Sequence, residues 1–122
     1  MVKLSASENP IRRGGKIMLF HLTATHTADN CPGYNREQMP AVIEAIEASE
    51  ARAKELGIKV HFMVNAAPKH VIYALLEAGN VAGIALWVNS FPIKQDCDIN
   101  PVQAEADLAV MAREMMARQQ AK

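Results

Sequence analysis

The chain has 122 residues, half of them apolar, with 13 basic and 13 acidic side chains and a formal net charge of zero. That length sets a single domain around one core, and an apolar fraction of this size excludes a largely disordered chain. Even charge balance excludes a nucleic-acid partner held by bulk electrostatics.

Residues 1–16, with Asn9-Pro10 and the run Arg12-Arg13-Gly14-Gly15, show no sustained periodicity and read as a flexible leader. They lack the apolar centre of a secretory signal, and no run along the chain approaches the roughly 20 apolar residues of a membrane span. A cytoplasmic protein without a membrane partner is expected. Cys31 and Cys97 are too few for a disulfide scaffold, so both are expected as free thiols.

Residues 17–25 alternate as a strand: Ile17, Leu19, His21, Thr23 and Thr25 share one face, and Met18, Phe20, Leu22, Ala24 and His26 the other. Because both faces are partly apolar, this strand should be central and covered on both sides. Residues 27–34, with Asp29-Asn30, Pro32 and Gly33, form a loop. A helix follows, starting either after Asn35 with Gln38 at the capping-box position or at Met39 ahead of Pro40. Its apolar stripe is Met39, Val42, Ile43, Ile46, Ala53 and Leu56, and Gly57 stops it.

A second strand covers 58–65, with Ile58, Val60, Phe62 and Val64 opposite Lys59, His61, Met63 and Asn65. Residues 70–77 suit a strand through Val71, Ile72 and Tyr73 or a short helix through 74–77; the short turn at 66–69 favours a hairpin and so the strand, with His70 at its start and at the surface. Val81, Ile84, Ala85 and Val88 repeat at helical spacing up to Phe91-Pro92. Residues 93–99 alternate as a charged edge strand, and Asn100-Pro101 opens a C-terminal helix over 101–119 with Ala104, Leu108, Met111, Ala112 and Met115 along one stripe.

This element order predicts an α+β chain: a leader at 1–16 and, over 17–122, one ferredoxin-like βαββαβ domain with an antiparallel sheet and an extra C-terminal helix. Helices cover one face of such a sheet. The apolar residues on the other face predict a homodimer, or a higher homo-oligomer, with sheets packed face to face.

At this point the chain resembles the dimeric α+β barrel superfamily over residues 17 to about 102. Met18-Leu19-Phe20-His21 and Phe91-Pro92-Ile93 are similar to the first-strand and last-strand segments of muconolactone isomerases. Thr25-His26-Thr27-Ala28-Asp29-Asn30-Cys31-Pro32 departs from that pattern and looks more like uncharacterised members of the superfamily, so no isomerase catalytic residue is carried over. The resemblance implies isomerisation, oxygenation or decarboxylation of a small organic molecule, often without a metal.

Chemistry concentrates where the first strand ends. His26 is a candidate acid or base, Cys31 a candidate nucleophile or pocket group, and Thr25 an orienting partner. His21, His61, Asn65 and Tyr73 are candidate ligand-binding residues. His21, His26, His61 and Cys31 also make a nitrogen and sulfur donor set suited to zinc or copper. Since a spacing of five puts His21 and His26 on opposite faces of a regular strand, no metal and no cofactor are assigned. The expected function is an isomerase or cofactor-independent oxygenase using His26. The alternatives are a non-catalytic homodimer binding a metal or small ligand, and a structural dimer assembled through the C-terminal helix.

Overall fold

The computed structural model describes residues 17–120, so the leader expected at 1–16 lies outside the described residues. Four strands, Met18–Thr25 (β1), Lys59–Ala66 (β2), Val71–Ala78 (β3) and Asp96–Val102 (β4), form one antiparallel sheet in the order β2-β3-β1-β4. With helices Met39–Glu47 (α1), Ser49–Glu55 (α2), Val81–Asn89 (α3) and Glu105–Gln120 (α4), the architecture is α+β. No described helix is long and apolar enough to cross a membrane.

The alternation of β1 decides what is buried. Phe20, Leu22 and Ala24 point to the helix-covered face and are buried, while Leu19, His21 and Thr23 on the other face stay partly exposed. Ala74, Leu76 and Ala78 of β3 continue the buried face, which Ala53, Ile84 and Trp87 close from the helix side. Trp87 is the largest fully buried side chain; its indole N–H donates to the Ser49 carbonyl at 3.0 Å and its ring meets Phe91 edge-on at 5.5 Å. The indole bond pins α3 to the start of α2, and the Phe91 contact packs the segment after α3 against the same ring. Asn80 caps α3 by accepting from the Gly83 N–H at 3.0 Å.

Three departures from the sequence pattern bear on the site. First, the helix expected from Met39 to Leu56 is interrupted at Ala48, beside which the buried Ser49 hydroxyl donates to the Ile46 carbonyl at 2.7 Å. Val42 and Ala53 face inward as expected, but Ile43 and Ile46 are half exposed. Gly57, at φ 74°, ends α2 in the left-handed region that glycine occupies without strain.

Second, β2 carries a bulge between Val60 and Phe62, which reverses the alternation beyond it. Val60, Met63 and Asn65 pair with Leu76, Ala74 and Ile72 on the helix side, and Phe62 and Val64 pair with Leu75 and Tyr73 on the open side. The unbroken alternation expected for 58–65 assigned Phe62 and Val64 to the same face as Val60, and the bulge corrects that.

Third, β4 lies three residues later than expected. It pairs with β1 from Thr25 opposite Asp96 to Leu19 opposite Val102. Pro101 is tolerated within it because an edge strand leaves one row of backbone groups without a ladder partner. The C-terminal helix therefore starts at Glu105 instead of 101, and none of its residues is buried. Leu108, Met111 and Met115 of its expected stripe are all exposed.

Candidate functional site

Between the sheet and helices α1 and α3 lies a cavity of about 400 Å³. Leu22, Ala24, Met63 and Ile72 form its floor, Met39, Val42 and Ile46 one wall, and Trp87, Val88 and Phe91 another. Against these apolar walls stand five polar residues, His26, Cys31, Asn65, His70 and Gln95. A volume of this size with few polar groups is typical of small-molecule sites.

Sheet register explains the polar end. β1 pairs Thr25 with Val71 of β3 and with Asp96 of β4, so one step further along both ladders His26 falls between His70 and Gln95. The His26 N–H donates to the His70 carbonyl at 3.3 Å, extending the β1–β3 pairing by that step. His70 itself adopts the left-handed conformation at φ 57°, where it ends the short 3-10 turn Ala67–Lys69. A non-glycine residue held there carries backbone strain, which tends to concentrate at functional positions.

The two imidazoles meet edge-on, with centroids 5.1 Å apart and His26 Nε2 3.3 Å from His70 Nδ1. The exposed Tyr34 ring lies near His70, ring centroids 6.3 Å apart. Cys31 comes from the loop between β1 and α1, which folds as two 3-10 turns, Ala28–Asn30 and Pro32–Tyr34. The Asn35 amide locks that loop by donating to the Asp29 and Cys31 carbonyls, both at 2.9 Å. As a result one donor atom each from His26, Cys31 and His70 lies within 4.8 Å of the other two.

Burial, and secondly the neighbouring His70 charge, lower the pKa of His26 below the usual 6.5. Its ring is therefore neutral at neutral pH and can accept a proton. His26 Nδ1 and Gln95 Oε1 are both buried without a hydrogen-bond partner among the described residues. Each such atom costs about 1–3 kcal/mol, and a cavity-bound molecule with suitable polar groups would recover it.

Of the residues singled out from sequence, His26, Cys31 and Asn65 converge on the cavity. Thr25 does not; it is exposed and precedes the step at which the chain turns inward. His21, Tyr73 and His61 lie on the opposite, open face of the sheet. There the His21 and Tyr73 rings are 6.3 Å apart, and His61 Nε2 is 2.6 Å from Oε1 of the buried Glu77. The donor set His21, His26, His61 and Cys31 is thus divided between two faces.

His70, expected at the surface, lines the cavity instead, and Gln95 was not singled out, because only the correct strand ends reveal that both sit beside His26. A hairpin register pairing 71 with 25 would have found His70. The chain matches no protein-family model and no curated protein. Fold and site together define an α+β protein with an apolar cavity ending in an imidazole–thiol cluster.

Proposed function

We propose that the chain is a small-molecule enzyme of the dimeric α+β barrel type, acting on a small, largely apolar organic molecule with His26 as its acid–base group. The observation that carries this reading is a neutral imidazole, His26, lining a 400 Å³ apolar cavity with its Nδ1 buried and unpartnered. With the His26 proton on Nε2 and shared with His70 Nδ1, a bound substrate that displaces the groups covering Nδ1 gives its acidic C–H proton to the Nδ1 lone pair. The resulting imidazolium returns that proton to a second carbon, which completes an isomerisation without net proton change. Asn65 and Gln95 orient the polar end of the substrate, and Cys31 lines the cavity beside it.

The ferredoxin-like reading is supported by the strand order β2-β3-β1-β4, with α1 and α2 joining β1 to β2 and α3 joining β3 to β4. On the open face, Phe62 and Val64 are exposed beside the partly exposed Leu19, Tyr73 and Leu75. We propose a second copy as the cover for that apolar surface.

The experiment is a thermal-shift panel of small lactones, phenols and enolisable ketones, followed by NMR measurement of deuterium exchange at the acidic C–H of each compound that binds. Catalysed exchange that falls by about 100-fold or more in His26→Gln, with binding retained, supports the proposal. Absence of any stabilising compound, or exchange that persists in His26→Gln, contradicts it.

A further inference from the structure

We infer that His26, Cys31 and His70 form a binding site for one zinc-class transition-metal ion, with the remaining coordination position open to the cavity. The inference rests on the same cavity as the proposed enzymatic role, but not on turnover. Donor geometry is the first argument. Two nitrogens bound to one tetrahedral zinc at about 2.0–2.1 Å stand roughly 3.3–3.4 Å apart. His26 Nε2 and His70 Nδ1 are 3.3 Å apart. The thiol completes a group whose donor atoms all lie within 4.8 Å, so a modest inward shift of Cys31 closes the set.

Donor chemistry is the second argument. Two imidazole nitrogens and a thiolate suit zinc or copper and disfavour magnesium or calcium, which take oxygen ligands. Three protein ligands with a position left open is the pattern of catalytic zinc sites, in contrast to the closed sets of structural ones. Here the space beside the cluster is the cavity itself, so the fourth ligand is water or a polar atom of a bound molecule.

Preorganisation is the third. The ligands come from three parts of the chain, and backbone or side-chain bonds hold each part. His26 is held by its N–H bond to the His70 carbonyl, His70 by its left-handed turn, and the Cys31 loop by the Asn35 side chain. Ligands held in place before the ion arrives lose little freedom on binding it.

Ion binding and proton transfer by His26 exclude one another. An ion on Nε2 leaves the imidazole proton on Nδ1, so His26 has no free nitrogen lone pair and cannot act as a base. In the loaded protein, a hydroxide left by deprotonation of an ion-bound water would supply the proton acceptor that His26 no longer offers.

The test uses untagged full-length protein, stripped with a chelator and kept reduced, then titrated with cobalt(II) as a spectroscopic probe and with zinc(II) in competition. One ion per chain is expected, with visible bands of tetrahedral intensity and a thiolate-to-cobalt charge-transfer band. Cys31→Ser should abolish the charge-transfer band, His70→Ala should weaken zinc affinity by more than about tenfold, and Cys97→Ser should leave both unchanged. Absence of the band in the parent protein, or its loss in Cys97→Ser but not in Cys31→Ser, overturns the metal site. If that happens while small organic compounds still bind the cavity, the enzymatic proposal survives; failure of both leaves neither standing.

Discussion

His26 and His70 are 44 residues apart in the chain, yet their ring nitrogens stand 3.3 Å from one another. The sheet makes this contact: Thr25 pairs with Val71, and the next step of the same ladder sets the two histidines side by side. The shared backbone bond from the His26 N–H to the His70 carbonyl keeps both rings at the cavity wall.

A pH dependence follows for the metal-free protein. His26 has a lowered folded-state pKa, chiefly from burial and then from His70. Between that value and the usual 6.5 the unfolded chain binds more protons, so the stability contribution is present above pH 6.5 and is lost as pH falls through the folded value. NMR titration should place His26 below 6.5, and His70→Ala should raise it part of the way, because the larger cause remains. Urea unfolding should show the parent losing more stability than His26→Gln between about pH 7.5 and pH 5.5.

Trp87 anchors α3 through both its volume and its bond to Ser49. Trp87→Ala should cost about 3–5 kcal/mol in urea unfolding. Trp87→Phe should cost about 1–3 kcal/mol, since it leaves the Ser49 carbonyl without the indole donor. A change below about 0.5 kcal/mol in the alanine variant would contradict this placement.

On the other face, His61 is the hydrogen-bond partner of the buried Glu77 carboxyl at 2.6 Å. His61→Ala removes that partner and should destabilise the protein by about 1–3 kcal/mol. Binding of small molecules in the cavity should not change, because the pair lies across the sheet from it. Loss of cavity binding without loss of stability would reverse the assignment.

Assembly is tested through Phe62 and Val64, both exposed on the open face. Light scattering coupled to size exclusion should show a dimer for the parent and a monomer for Phe62→Lys/Val64→Lys, with unchanged circular dichroism. A monomeric parent would contradict the face-to-face arrangement.

The sequence pattern was most informative where one periodicity holds without interruption. The two faces of β1 and the stop at Gly57 could be read from residue types alone, whereas residue types left two helix starts open, of which Met39 is the observed one, and the strand after Pro68-Lys69 needed the short connection to decide it. Legibility failed where tertiary pairing overrides local preference. The β2 bulge returns Asn65 and Met63 to the cavity while His61 turns to Glu77, and no local signal marks a bulge between Val60 and Phe62. Asn100-Pro101 has strong helix-start chemistry, but pairing with His21 and Phe20 of β1 claims both residues for β4. His26, Cys31 and Asn65 were identifiable as polar residues near strand ends. Their partner His70 was missed because its place depends on where two strands stop.

The most direct test of the central claim, that His26, Cys31 and His70 meet at the polar end of an apolar cavity, is a crystal structure of the protein soaked with small aromatic or lactone fragments. The account predicts fragment density between the sheet and α3, with a polar atom within hydrogen-bond distance of the His26 ring. A cavity filled by side chains, with His26 and His70 separated and turned toward solvent, would contradict it.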